Sequence, residues 1–364
     1  MSTHKFIISG GGTGGHIFPA IAIANALKEK FSDAEILFVG AKGKMEMEKV
    51  PAAGYRIIGL PIAGIKRSLV LSNLAVPVKL LRSLWISNKI IKEFRPDVVI
   101  GVGGYASAAV LKVATRRRIP SVIQEQNSYP GVTNKLLANK VSSICVAYPG
   151  MEKYFPSYKL KYTGNPVRKE IIEANTKSTE GRNHFALSSD DKVLLIVGGS
   201  LGARSINLAV AEGLNDLLES GLKIIWQTGK PFYQTALTAA DGKKGVQVME
   251  FIKEMDLAYA AADIIVSRAG ALAISELSIV GKPCILVPYP FAAEDHQTHN
   301  ARSLSDRGAA VLIKDDEAAL KLKNEILKLA ADSELCESLK KNIKGLGKPE
   351  ATNEIVNEIV NLIA

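Results

Sequence analysis

The sequence predicts an α/β fold built twice: two Rossmann-like, doubly wound parallel-sheet domains facing each other over a cleft. Three observations predict it. Short, nearly continuous apolar runs recur, as parallel strands buried on both faces require. Helical patterns separate many of them. Finally, the chain repeats one device: Lys5-Phe-Ile-Ile-Ser runs into Gly10-Gly-Gly-Thr-Gly-Gly15, and Lys192-Val-Leu-Leu-Ile-Val runs into Gly198-Gly-Ser-Leu-Gly202. Each is a strand, a glycine turn and a helix.

In order, the strands expected are Lys5–Ser9, Glu35–Val39, Arg56–Leu60, Val98–Val102, Ser121–Gln124 and Ser142–Ala147. They resume at Val193–Val197, Lys223–Gln227, Val246–Glu250, Ile264–Ser267, Cys284–Val287 and Ala310–Ile313. The break falls near Gly164-Asn-Pro166, and residues 173–192 are polar, as a domain boundary should be. The domains expected are therefore 1–165 and 166–345. A last helix, 350–364, carries Ile355, Ile359 and Ile363 on one face, a stripe that must be buried and is expected to pack back on the first domain.

The 364 residues are 47% hydrophobic and 23% charged, which fits a folded chain and excludes a disordered or collagen-like one. Cys145, Cys284 and Cys336 are odd in number and far apart, so neither a disulfide framework nor a zinc site is expected, and a reducing compartment is. Only three apolar residues follow Lys5 before the glycines, too few for a secretory signal, and no apolar run is long enough to span a membrane. The net charge of +10 is uneven. Residues 1–165 hold 23 basic and 9 acidic side chains, net +14, against net −4 for the rest. Between 56 and 118 there are 12 basic residues and only Glu93 and Asp97 as acids. Either that surface is merely solvated, or it meets something anionic: nucleic acid, a phosphorylated substrate or a membrane.

Gly10, Gly12 and Gly15 satisfy G-x-G-x-x-G, but the second strand ends in Val39-Gly-Ala-Lys42 with no acid for a ribose, which argues against a dinucleotide. What remains is anion affinity at a helix N-terminus. Similar turns at Gly101-Val-Gly-Gly-Tyr105-Ala-Ser107 and Gly198-Gly-Ser200-Leu-Gly202 make three such loops at strand ends, which points to a phosphate or diphosphate over plain tight turns. His16 follows the first loop at a helix start, where a neutral ring ready to accept a proton is favoured. A capping or packing histidine is the alternative. Gln124-Glu125-Gln126-Asn127 ends a buried strand with four polar side chains. Glu276 sits in Arg268-Ala-Gly-Ala271-Leu-Ala-Ile-Ser-Glu276, where an acid also suits a helix dipole. His296 and His299 lack a second cluster of ligands, and no D-x-D triplet occurs, so no metal is expected. Residues 71–94 form a helical pattern with Leu71, Leu74, Val78, Leu81 and Trp85 as one stripe among Lys66, Arg67, Lys79, Arg82, Lys89 and Lys92. This is either a core-facing helix with basic flanks or a surface that lies on anionic lipid.

Together the motifs Gly11-Gly-Thr-Gly-Gly-His16-Ile-Phe-Pro19, Gly103-Gly-Tyr-Ala-Ser107, Glu125-Gln-Asn127, Gly164-Asn-Pro-Val-Arg168, Gly198-Gly-Ser-Leu-Gly-Ala203 and Asp295-His-Gln-Thr-His-Asn300 resemble the MurG family, in order from about residue 6 to 308. Gln124 and Ala106 depart from the commoner His and Val of that family. The resemblance implies the GT-B architecture, no cofactor, and inverting transfer of N-acetylglucosamine from UDP-GlcNAc to undecaprenyl-diphospho-N-acetylmuramoyl-pentapeptide. It also implies peripheral attachment to an anionic membrane surface, the cytoplasmic face of the inner membrane, with cell-wall synthesis proteins as partners and no nucleic acid.

By the same resemblance, Arg168 and Ser200 would meet the UDP diphosphate, and Ile252 would present its backbone to uracil. Ala271, Leu272, Ala273, Ile274, Ser275 and Glu276 would run along the nucleotide, with Glu276 on the ribose hydroxyls and Gln297 on the sugar. Thr13, Gly14, Gly15 and Asn127 would reach the donor sugar, and Gly103, Gly104 and Tyr105 the acceptor diphosphate. His16, or failing it Glu125, would take the acceptor proton. A UDP-N-acetylglucosamine 2-epimerase of the same plan and a nucleic-acid-binding protein are the rival readings.

Overall fold

Seven strands of the first half share one sheet: β1 (Lys5–Ser9), β2 (Glu35–Ala41), β3 (Arg56–Leu60), β4 (Val98–Gly101), β5 (Ser121–Glu125), β6 (Ser143–Val146) and β7 (Leu160–Tyr162). Their order is β3-β2-β1-β4-β5-β6-β7, all parallel. The second half repeats the plan with β8 (Lys192–Val197), β9 (Leu222–Gln227), β10 (Val246–Met249), β11 (Ile264–Ser267), β12 (Cys284–Leu286) and β13 (Val311–Leu312), in the order β10-β9-β8-β11-β12-β13. In each sheet the order reverses beside the first strand, at β1/β4 and at β8/β11. Those are the points where open α/β sheets bind ligands.

The structure is a computed structural model describing residues 3–62 and 76–363. It forms two compact units, Met1–Pro166 with Glu350–Ala364, and Val167–Pro349. In the first unit, one face of the sheet buries Ile7, Val99, Ile123 and Ile144 under the helices Val76–Phe94 and Tyr105–Arg116. The other face buries Phe6, Ile8 and Ile100 under the helix Gly14–Lys30 and the terminal helix Ala351–Val360. Ile355 and Ile359 of that terminal helix are fully buried. Lys30 donates to Asn357 at 2.7 Å, and Lys161 pairs with Glu358 at 3.4 Å. In the second unit the core gathers Leu194, Ile196, Trp226, Ile264 and Ile285.

Two differences from the sequence reading have physical causes. β7 was not anticipated, because Leu160-Lys-Tyr is a three-residue edge strand, half exposed and without an apolar run. The helix Val76–Phe94 also turns its apolar stripe outward. Val78, Leu81 and Trp85 are 67%, 68% and 67% exposed, while Ser83, Ser87, Ile90 and Ile91 face inward. The core-facing alternative does not hold for this stripe. Small serines let the helix pack closely on the Ala-rich helix Tyr105–Arg116. Lys66, Arg67, Leu71 and Leu74 lie outside the described residues. Among the described residues no helix is long and apolar enough to cross a membrane.

Candidate active site

In the second unit a cavity of about 960 Å³ opens where β8 ends. The chain leaves Val197 through Gly198–Gly202 and enters the helix Arg204–Glu219. Gly202 has φ of +76°, and a Cβ there would collide with the Thr228 carbonyl, so the turn can lie flat against the end of β9 only as glycine. The N-terminus of a 16-residue helix, with its unpaired N–H groups and partial positive charge, is thereby presented at the cavity. Ser200 stands exposed at the tip of the turn.

Opposite in charge is Glu276, on the helix Ala271–Val280. Its Oε1 pairs with Arg168 Nη2 at 3.2 Å, and its Oε2 accepts from the Tyr259 hydroxyl at 3.2 Å. Burial pushes the carboxyl above the usual carboxylate range, against the pull of Arg168 and the Tyr259 hydrogen bond. Burial, and then the neighbouring Glu276, push the Tyr259 phenol well up, so it remains a donor. The Arg168 side chain is 54% exposed and that of Glu276 15%.

A second cation, Arg268, is engaged otherwise. It pairs with Asp315 at 2.5 Å and donates to the carbonyls of Val287 and Pro288 at 3.0 and 3.1 Å, while Ser205 donates to the same Asp315 oxygen at 2.5 Å. Its charge is matched internally, which leaves Arg168 as the more accessible cation. The fixed Val287–Pro288 segment leads to Tyr289, whose N–H donates to Gln297 Oε1 at 2.9 Å and so orients that amide. Gln227 accepts from the Ile252 N–H at 2.9 Å and donates to the Gly199 carbonyl at 3.0 Å. The Ile252 N–H is thus already bonded within the protein. Leu201, Phe251 and Phe291 are exposed apolar side chains on the cavity lining.

Of the residues expected at a donor site, Arg168, Ser200, Ile252, Ala273, Glu276 and Gln297 line this one cavity. From their helix, Ala273 and Glu276 face it, whereas Ile274 is buried in the core and the Ser275 hydroxyl donates back to Ala271. Ala271 and Leu272 are not among the lining residues. Nothing in the local sequence marks Asp315, Ser205 or Tyr259, and Arg268 shows no role from its own position in the chain. The acid partners lie 47 and 17 residues away in the chain, so no local pattern announces them.

In the first unit the Gly10–Gly15 loop joins β1 to the helix Gly14–Lys30 and carries Thr13, Gly14, Gly15 and His16. His16 Nδ1 lies 2.9 Å from the Gly11 carbonyl oxygen. A carbonyl only accepts, so Nδ1 is the donor, and in the neutral ring Nε2 keeps its lone pair. A Cβ at Gly103 would stand 2.8 Å from that Nε2, and one at Gly104 would stand 2.6 Å from the Gly11 oxygen. Both glycines are therefore required by the close approach of the two turns. Tyr105, next in the chain, is 54% exposed.

Glu125 is buried and fully engaged. Oε1 accepts from the Asn127 N–H at 3.0 Å and its side-chain amide at 3.4 Å, and Oε2 from the Gly131 N–H at 3.1 Å and Asn134 at 2.7 Å. Those bonds fold the 125–134 turn and place Asn127. Gln124 donates to Asn165 at 2.8 Å, and Asn165 donates to the Gln126 carbonyl at 3.0 Å, which ties the end of β5 to the Gly164-Asn-Pro turn. These bonds hold the polar end of β5 in place within the unit. Glu46, which the sequence reading passed over, is buried beneath the glycine loop and accepts from the Gly12 N–H at 2.9 Å.

Comparison with known proteins extends over both units. Residues 6–146 match the glycosyltransferase family 28 N-terminal domain, and residues 193–355 match the glycosyltransferase family 28 C-terminal domain. UDP-N-acetylglucosamine–N-acetylmuramyl-(pentapeptide) pyrophosphoryl-undecaprenol N-acetylglucosamine transferases of Flavobacterium psychrophilum and Parabacteroides distasonis are 53% and 52% identical, covering 100% of this chain and 99% of theirs. The crystal structure of Acinetobacter baumannii MurG superposes with a TM-score of 0.83 at 29% identity, over 99% of this chain and 100% of that one. A UDP-GlcNAc 2-epimerase from Neisseria meningitidis shares the fold alone, with a TM-score of 0.67 at 14% identity over 99% of this chain and 100% of its own. The chain belongs to glycosyltransferase family 28 and, within it, to the MurG N-acetylglucosaminyltransferases.

Proposed function

We propose that the chain moves N-acetylglucosamine from UDP-GlcNAc to the 4-hydroxyl of undecaprenyl-diphospho-N-acetylmuramoyl-pentapeptide, inverting the anomeric carbon. The observation that carries the donor side is the cavity of the second unit, where a helix N-terminus, Arg168 and Glu276 converge. The diphosphate sits at the Ser200 turn, with the helix N-terminus and Arg168 opposing its charge. Glu276 takes the ribose hydroxyls, in exchange for its present bonds to Arg168 and Tyr259. Phe251 and Leu201 offer apolar cover for the base, and Gln297, oriented by Tyr289, turns its amide to the sugar. Thr13, Gly14, Gly15 and Asn127 contribute from the first unit.

The reaction is one displacement. The acceptor oxygen bonds to C1 as the C1–O bond to UDP breaks, and the hydroxyl proton passes to His16 Nε2. Negative charge grows on the departing β-phosphate, where the helix N-terminus and Arg168 stabilise it. His16 suits the base role because its Nδ1 is fixed as a donor; Glu125 suits it poorly, with both oxygens committed. Transfer should persist in excess chelator, since these groups answer the phosphate charge and no D-x-D triplet is present. Loss of turnover on chelation, restored by Mg²⁺ or Mn²⁺, would overturn that part.

The membrane reading rests on the helix Val76–Phe94. Its exposed Val78, Leu81 and Trp85 lie among exposed Lys79, Arg82, Lys89 and Lys92. Arg117 donates to Asn88 at 2.8 Å, joining this helix to the neighbouring basic pocket of about 460 Å³ lined by Lys112, Arg116 and Lys140. The neighbouring Lys140, and then slight burial and Arg116, hold the Lys112 amine below its usual range. An apolar ridge flanked by cations suits peripheral attachment to an anionic leaflet. The test of the whole reading is transfer of labelled N-acetylglucosamine to a soluble short-chain acceptor analogue. An altered free donor sugar without acceptor would instead indicate an epimerase.

A further inference from the structure

We infer that Glu46 is a positioning residue for His16 and acts through the Gly11–Gly12 peptide group, an inference that rests on His16 as the proton acceptor. One peptide unit carries both contacts. Its N–H, on Gly12, donates to Glu46 Oε2 at 2.9 Å. Its C=O, on Gly11, accepts from His16 Nδ1 at 2.9 Å. Carboxylate, amide and imidazole form an unbroken chain in which each donor has one acceptor. The arrangement resembles a carboxylate–histidine dyad with a peptide group inserted between the two.

The site is built for that carboxylate. Glu46 is 1% exposed. Its second oxygen accepts from the Ala41 N–H at 2.9 Å, which pins the side chain from the far end of β2. A Cβ on Gly11 would collide with the Glu46 carboxyl, and one on Gly40 would stand 2.5 Å from its Cγ. Two glycines therefore leave room for one acid. A backbone brace alone would need only a neutral acceptor. A carboxylate also polarises the amide it accepts from, and hydrogen-bonded chains strengthen one another by roughly 10–30% per bond in low dielectric. The Gly11 oxygen becomes a better acceptor, the Nδ1–H tautomer is fixed, and Nε2 is left as the basic nitrogen. When His16 takes the acceptor proton, the new imidazolium lies two hydrogen bonds from a buried negative charge.

The experiment is a double-mutant cycle of Glu46→Gln and His16→Ala, read as kcat and donor KM with UDP-GlcNAc and a soluble acceptor analogue. Gln fills the same volume but turns an NH₂ toward one of the two N–H groups. Glu46→Gln should lower kcat by roughly 10–100-fold, the range seen for outer partners of metal-bound histidines, with the donor KM within about twofold. In the His16→Ala background the same change should cost under about twofold. Equal losses in both backgrounds would overturn the inference and make Glu46 a brace only. Full turnover by His16→Ala would instead remove the base assignment. Nitrogen-15 NMR of the wild-type histidines covers the case in which Glu46→Gln fails to fold. A proton on His16 Nδ1 and none on Nε2 is expected, and the opposite tautomer overturns the relay.

Discussion

Glu276 meets two opposed forces, burial raising its carboxyl and Arg168 lowering it, and burial prevails. The sign of the pH effect follows. A carboxyl raised in the folded state binds its proton more tightly there than in the unfolded chain. Its stabilising contribution is therefore complete below the unfolded value and is lost as pH rises through the folded one. On the proposed role of Glu276, donor binding runs the other way, because the ribose hydroxyls need the ionised form. On acidification the UDP-GlcNAc KM should begin to rise at a pH where an ordinary exposed carboxylate is still charged. An onset in the ordinary carboxylate range would separate Glu276 from the donor. Glu276→Ala should weaken donor binding by about 1.5–3 kcal/mol, the range for hydrogen bonds to a charged group, and an unchanged KM would leave it a helix charge. His16→Ala should instead lower kcat by about 10²–10⁴-fold with little change in donor KM, as loss of a general base does. At this scale the sequence spoke where a polar residue follows a strand, as with His16, Ser200 and Glu276. It was silent on Glu46 and Asp315, whose roles come from partners 34 and 47 residues away.

Among the elements, the strands were legible because parallel strands buried on both faces leave continuous apolar runs, which β1 and β8 display. β7 left none. The helix Val76–Phe94 was legible as a helix but not in its facing. The usual rule sends the larger apolar stripe inward. Here the helix has two apolar sides: Leu84, Ile86, Ile90 and Ile91 pack inward beside Ser83 and Ser87, while Leu81 and Trp85 face solvent. The outward stripe carries a prediction. The protein should sediment with anionic vesicles more than with neutral ones, and less as salt rises, because each cation near the leaflet contributes roughly 1 kcal/mol and is screened within a Debye length. Lys79→Glu/Arg82→Glu should weaken sedimentation without lowering the melting temperature, since both side chains are exposed. Equal sedimentation of wild type and variant would rule out this helix as the lipid-facing surface.

On the scale of the whole molecule, the chain ends in the unit where it began. The stripe of Ile355, Ile359 and Ile363 announced burial, and its partner surface is the face of the first sheet around Phe6 and Ile8, beside the helix Gly14–Lys30. The core of the first unit therefore draws on segments from both sides of the second, while the second unit, Val167–Pro349, is continuous in sequence. The two should respond to different perturbations. Ile359→Ala removes a fully buried side chain from the first core and should cost about 2–5 kcal/mol. For a unit of this size, that lowers its melting transition by about 2–4 °C per kcal/mol. On the proposed donor site in the second unit, UDP should raise the other transition, by the equivalent of about 2.7 kcal/mol at a hundredfold excess over Kd. Calorimetry on wild type and Ile359→Ala, each with and without UDP, reads both effects. If the transition lowered by Ile359→Ala proves to be the one that UDP raises, the donor is held by the unit into which the terminal helix packs, and the assignment of UDP to the β8 cavity fails.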